Sequence, residues 1–199
     1  MSLEWGAAAL PLKGQSESGD RCVVQSFPGG ILLAVIDGLG HGYEAAVVAN
    51  LAESILRTQA HEPVISLARR CHESLRSTRG VVMSLVSFNI THGLMTWLGI
   101  GNVRGILRRS GNSSNLTREE LLLRAGLIGG HIPPLQAAVI PVSEGDTLFL
   151  ATDGIRGEFA QERATSEISQ HTAEAILSRY ATGDDDALVL VARVVGNRR

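Results

Sequence analysis

Apolar and polar positions alternate in short, recognisable blocks along this chain. Residues 21–27 and 31–36 are β-branched apolar runs flanking Pro28-Gly29-Gly30, a turn signal that predicts an antiparallel hairpin and leaves Asp37 at a strand end. From residue 44 to 57, Ala45, Val48, Ala49, Ala52, Ile55 and Leu56 recur at helical spacing, while Glu44, Glu53 and Arg57 fall off that stripe. The pattern predicts an amphipathic helix with one buried face. Pro63, suited to a first helical position, opens a second helix through Val64, Leu67, Ala68, Cys71 and Leu75, which places Cys71 in the core.

Residues 81–90, 94–100 and 103–109 are β-rich and separated only by Thr91-His92-Gly93 and Gly101-Asn102. Connections this short predict an antiparallel meander, since parallel crossovers need longer links. A polar loop at 110–115, a strand at 121–125, a Gly/Pro loop at 126–134 and a strand at 137–141 follow. Residues 146–152 read as a strand ending at Asp153-Gly154, and 172–180 as a short helix. The near-continuous Ala/Leu/Val run at 187–195 marks a strand buried on both faces, starting directly after Gly183-Asp184-Asp185-Asp186. No 20- to 50-residue period recurs, so the 199 residues are expected to form one α+β domain, residues 1–199.

Composition narrows the function classes. The 18 basic and 20 acidic residues nearly cancel, so no global field draws the protein to nucleic acid or an anionic membrane. The longest uninterrupted apolar stretch, 31–36, is far short of a spanning helix, and Glu4 stands where an export signal would be basic. Cys22 and Cys71 have no CxxC or Cys/His spacing around them, which argues against a disulfide framework and a zinc ribbon. A cytoplasmic protein is expected.

The chemistry concentrates at the strand ends. Asp37, Asp153 and the run Asp184 to Asp186 are far apart in sequence, yet each joins an apolar strand where a side chain can leave a sheet and meet others. Converging carboxylates repel unless a cation neutralises them, and an all-oxygen donor set selects Mg²⁺ or Mn²⁺ over zinc. Asp20, in Ser18-Gly19-Asp20, is a fourth member, and Gly38 and Gly154 allow close backbone approach with a free carbonyl. The plainer reading of each Asp-Gly pair is turn punctuation, and of the Asp run a solvated loop. Gly38-Leu39-Gly40-His41-Gly42 imitates a dinucleotide loop, but Tyr43 stands where the third glycine belongs. An aspartic hydrolase lacks its Asp-Thr/Ser-Gly motif.

Asp37-Gly38-Leu39-Gly40-His41-Gly42, followed by Glu44-Ala45-Ala46, resembles the signature of the metal-dependent protein serine/threonine phosphatases (PPM, or type 2C), in their bacterial SpoIIE-like branch. Ser18-Gly19-Asp20, Ala151-Thr152-Asp153-Gly154 and Gly183-Asp184-Asp185-Asp186-Ala187-Leu188 resemble that branch's other acidic motifs in the same order. The resemblance implies a four-layer αββα sandwich: two mostly antiparallel sheets flanked by helices, with two Mn²⁺ or Mg²⁺ ions at one end. It implies that Asp37 bridges both ions and that the Gly38 carbonyl joins one coordination sphere. Asp153 and Asp185 then hold the other ion, and Asp20 acts near the first, through water. Within the acidic run the register is open by one position.

The same resemblance implies that an activated water attacks phosphorus with no protein nucleophile, leaving protonation of the departing oxygen to be supplied. His41 is the expected acid, although its spacing from Asp37 differs from that of eukaryotic relatives and a structural role for the loop is the competing reading. No arginine precedes Asp20; Arg21 adjoins it but alternates to the other strand face. His61, His72, His92, His131 and His171 pair with nothing at ligand spacing and read as surface or core, as Trp97 reads as core. A catalytic domain with no sensor attached resembles the feedback phosphatases of the bacterial stressosome, which implies phosphorylated STAS-domain scaffold proteins as partners. The alternative is a catalytically silent phosphatase-like module that binds a signalling partner.

Overall fold

The structure is a computed structural model that describes residues 1–110, 118–161 and 169–196. The first half runs β1 (Ser2–Leu10), β2 (Asp20–Phe27), β3 (Gly30–Gly38), α1 (Tyr43–Thr58), α2 (Val64–Ser74), β4 (Val81–Asn89) and β5 (Leu94–Ile100). The second runs β6 (Arg104–Arg108), β7 (Arg118–Glu120), β8 (Leu123–Arg124), β9 (Ala138–Pro141), β10 (Thr147–Ala151), α3 (Ser169–Tyr180) and β11 (Ala187–Val195), with a 3-10 turn at Gly157–Gln161.

Two sheets result. One has the order β2-β3-β4-β5-β8, with β9 also on the β5 edge; the other has the order β1-β11-β10-β6-β7. All pairings are antiparallel except β5 with β8. The period-2 alternation of β3 assigns its two faces. Leu32, Ala34 and Ile36 pack with Ala49, Ala52 and Leu56 of α1 and Leu67 and Cys71 of α2. Leu33 and Val35 face the other way, into a core shared with Trp97, Leu107, Leu148, Leu150, Leu188 and Leu190 between the sheets. The odd residues of β11, Val189 and Val191, pack with Phe149, Ala173 and Ile176 beneath α3. The layers are therefore helices, sheet, sheet, helix: the αββα sandwich.

The hairpin, both early helices, the doubly buried β11 and the buried Cys71 and Trp97 stand as the sequence pattern predicts. Pro63 caps α2 from just outside rather than occupying its first turn. The meander is corrected. β4 and β5 form a hairpin, but β6 leaves for the other sheet and pairs with β10. Gly101, at φ 92°, turns the chain, and Val103 is then buried between the sheets instead of extending a third strand. The strand expected at 121–125 contracts to the two residues of β8. β1 carries no sequence signal: Gly6 and three alanines have weak strand preference, and the strand exists because β11 offers it an edge. Of the polar loop expected at 110–115, residues 111–115 lie outside the described residues. Among the described residues, no helix is long and apolar enough to cross a membrane.

Candidate metal centre

The strand ends converge across the gap between the sheets. Asp20 opens β2 and sits directly opposite Asp37, near the end of β3, in the antiparallel register. Asp153 follows β10 in the other sheet, and Asp184 to Asp186 lead into β11, the neighbour of β10. An open cleft of about 400 Å³ is lined by Asp37, Asp153 and Asp185 together with Leu39, Gly40, Val82, Gly101, Asn102, Ala125 and Gly126. Sequence reasoning thus names all three carboxylates that face the cleft.

Two glycines allow these ends to pack closely. A Cβ on Gly38 would lie 2.4 Å from the Ala45 carbonyl oxygen, and one on Gly154 would lie 2.0 Å from that of Asp186. What comes close is the protein's own backbone: α1 against the end of β3, and the acidic run against the turn after β10. That packing brings Asp153 and Asp185 to one wall.

The acidic run divides by function. Asp184 is exposed. Asp186 is buried and both its oxygens accept backbone N–H bonds, from Leu12 at 2.7 Å and from Gly19 at 2.7 Å. It clamps the segment before β2 and is not among the residues that line the cleft. Asp185 lines the cleft while one oxygen accepts the Asp186 N–H at 2.8 Å. Between the sheets, the buried Thr152 hydroxyl donates to Asp20 Oδ2 at 2.8 Å and accepts from the Leu188 N–H at 2.9 Å. Thr152, which the motif carries without an assigned role, and Asp186, one of the alternatives the open register leaves for a metal ligand, both make structural hydrogen bonds here.

The electrostatics follow from burial. Asp20 is pushed up to about 7, by desolvation first; its bond from Thr152 counters this, and the neighbouring carboxylates add to the rise. Asp37 is pushed up to about 8 by desolvation and then by Asp20, Asp153, Asp185 and Asp186. Asp153 is also raised, by burial and by Asp185. Among the described residues, no basic side chain lines the cleft. Arg21 is turned away, donating to Asn50 Oδ1 and to the Ser18 and Asp20 carbonyls. Arg79 donates to the Leu39 carbonyl at 3.0 Å and pairs with Glu44.

A hard divalent cation fits this donor set. The carboxylates carry a like-charge excess that the protein does not neutralise, and every available donor is oxygen. Among the described residues, no three His, Cys, Asp or Glu side chains close on one point. Sites for Mg²⁺ commonly use one or two carboxylates with retained waters.

His41 is exposed in the loop between Gly40, which lines the cleft, and Gly42, which precedes α1. Of the other histidines, His72 is buried and accepts the Gly129 N–H at 3.1 Å, a structural role. Asn102, at the cleft, was read only as part of a turn; its amide donates to Asp153 Oδ2 at 2.7 Å.

Sheet order and layers are those of the PP2C phosphatase fold, with acidic strand ends gathered at one cleft. Residues 28–195 match the Stage II sporulation protein E (SpoIIE) family, and the chain belongs to that family of metal-dependent protein serine/threonine phosphatases. It is 26% identical over 187 residues to the phosphoserine phosphatase RsbX of Bacillus subtilis (strain 168), covering 92% of this chain and 89% of that protein. A solved structure described as "The bacterial stressosome: a modular system that has been adapted to control secondary messenger signaling" superposes with TM-score 0.86 at 29% identity, covering 97% of this chain and all of the other. The crystal structure of RsbX in complex with magnesium superposes with TM-score 0.84 at 22% identity over 96% of this chain and 94% of that one, a likeness of fold.

Proposed function

We propose that this protein is a cytoplasmic phosphoserine/phosphothreonine phosphatase working with two Mn²⁺ or Mg²⁺ ions, whose substrates are phosphorylated STAS-domain proteins of a stressosome. The observation that carries the catalytic reading is the composition of the cleft wall among the described residues: three carboxylates, and no basic residue to receive a phosphate. A phosphoryl dianion enters such a cleft only when cations have reversed its charge. Among the described residues the wall also holds no Ser, Thr, Cys, Lys or His, which supports water as the attacking group. Similarity to RsbX and to the stressosome structure supports the substrate class.

Asp37 would be shared between the ions, with the Gly38 carbonyl beside it and Asp153 and Asp185 on the opposite wall. Asp20, held by Thr152, would act through water. The chemistry the ions supply when bound is acidification of water and offset of phosphoryl charge. The chain's own residues do the remainder. Asp186 and Thr152 hold the two sheets in register so that the carboxylates face one another. His41 is assigned the proton that the departing serine or threonine oxygen requires.

The surface beside the cleft suits a protein substrate. From the loop that carries Leu39 into the cleft, Tyr43, Val47 and Leu51 run along one face of α1 at four-residue spacing, all exposed. An apolar stripe leading into a charged cleft suits a folded protein better than a small phosphoester.

The test is hydrolysis of p-nitrophenyl phosphate with Mn²⁺, Mg²⁺ or EDTA, by wild type and by Asp37→Asn. Metal-dependent turnover reduced about a thousandfold in the variant, equivalent to roughly 4 kcal/mol of barrier, is expected. Turnover that survives EDTA, or absence of both turnover and Mn²⁺ binding, overturns the reading; the second outcome points to the partner-binding module.

A further inference from the structure

Asn102 touches the cleft through a single strong contact, and the chain around it is fixed to a degree its exposure does not suggest. Its side-chain amide donates to Asp153 Oδ2 at 2.7 Å. An exposed Asn–Asp hydrogen bond on a free loop is transient, because water competes for both groups and ordering the loop costs entropy. Here the backbone is pinned on both sides. Before it, Gly101 lies at φ 92° with its N–H on the Arg124 carbonyl at 2.8 Å, and a Cβ there would meet Val82 at 2.2 Å. After it, Val103 is buried between the sheets, and its carbonyl accepts the hydroxyl of Ser84, itself fully buried, at 2.7 Å. Ser84 is a polar residue inside a sheet core whose partner is that carbonyl.

We propose that Asn102 is a positioning residue that sets the Asp153 carboxylate for the divalent cation, a role that rests on the metal-site reading above. The chain of contacts runs from Ser84 through Val103 to Asn102 and then to Asp153. The amide holds Oδ2 from the cleft side, while backbone N–H groups of Asp153 and Gly154 also reach the carboxylate. An amide is suited to this task where a lysine or arginine is not. It is neutral, so it fixes the carboxylate's direction without spending the negative charge that attracts the cation. Among the described residues the walls of the cleft agree with this division: their charges are carboxylates, and Asn102 is the donor side chain that lines them.

The experiment is calorimetric titration of the metal-free protein with Mn²⁺, for wild type, Asn102→Ala and Asn102→Gln, with metal-free melting temperatures alongside. Asn102→Ala is expected to weaken Mn²⁺ binding by about tenfold, the usual effect of removing a hydrogen-bond partner from a metal ligand. The metal-free melting temperature stays that of wild type, and Asn102→Gln, which keeps the amide, regains most of the affinity. Wild-type affinity in Asn102→Ala overturns the proposal. So does a loss that Gln fails to recover, or one accompanied by a lowered melting temperature. Wild-type protein that binds no Mn²⁺ overturns the metal-site reading itself, before any variant is measured.

Discussion

Asp20 and Asp37 face each other across the β2–β3 pairing, two carboxylates directly opposite on adjacent strands. Like charges in that position destabilise a sheet. Asp20 is buried and Asp37 half-buried, and both are pushed into the neutral range, to about 7 and about 8. The fold therefore holds a repulsion in reserve that a cation relieves, a cost concentrated where function lies.

A pH dependence follows with a definite sign. Folded-state values raised above the unfolded ones mean that the contribution of Asp20 and Asp37 to stability is complete below about pH 4 and is lost as pH rises through 7 to 8. In the metal-free protein this contribution falls between pH 5 and pH 8, and the stabilisation gained from Mn²⁺ grows over the same interval. Melting curves across pH with and without Mn²⁺ measure both. Proton release on Mn²⁺ binding near pH 7, read from calorimetry in buffers of different ionisation enthalpy, is the companion signal. A Mn²⁺ increment independent of pH contradicts the assignment.

Asp185 and Asp186 separate by substitution. Asp186→Ala strands the Leu12 and Gly19 N–H groups and is expected to cost about 2 to 4 kcal/mol in urea denaturation. Asp185→Asn leaves the fold stable and removes a cleft carboxylate, so its loss shows as weakened Mn²⁺ binding. The reverse pattern would transfer the ligand role to Asp186.

His41→Ala distinguishes a proton donor from a loop residue. A serine alkoxide leaves poorly without a proton, whereas p-nitrophenolate leaves readily. Phosphoserine turnover is expected to fall by about 10²-fold or more, with p-nitrophenyl phosphate changed little. Equal effects on both substrates contradict proton donation.

Leu51→Glu on the exposed face of α1 tests substrate docking. Hydrolysis of p-nitrophenyl phosphate is expected to hold, while kcat/KM for a phosphorylated STAS-domain protein falls about tenfold through KM. Unchanged turnover of the protein substrate removes α1 from the docking surface.

Periodicity and turn chemistry are local, and what depends on them was legible in the sequence. The β2–β3 hairpin, both early helices and the doubly buried β11 follow from side-chain spacing, and Asp37, Asp153 and the run Asp184 to Asp186 from acid positions at strand ends. Three things were settled by tertiary contact. β1 is a strand because β11 has a free edge for it, which no property of Gly6 or its alanines announces. β6 changes sheet because burying Val103 between two layers gains more than extending a hairpin. Asp186 became a clamp and Asp185 a cleft residue because alternate side chains point to opposite sides, and only the packing of the segments carrying Leu12 and Gly19 determines which side is wet. Sequence supplied the charges; the distances between them belong to the folded sandwich, since no residue's identity encodes what lies across the gap between two sheets.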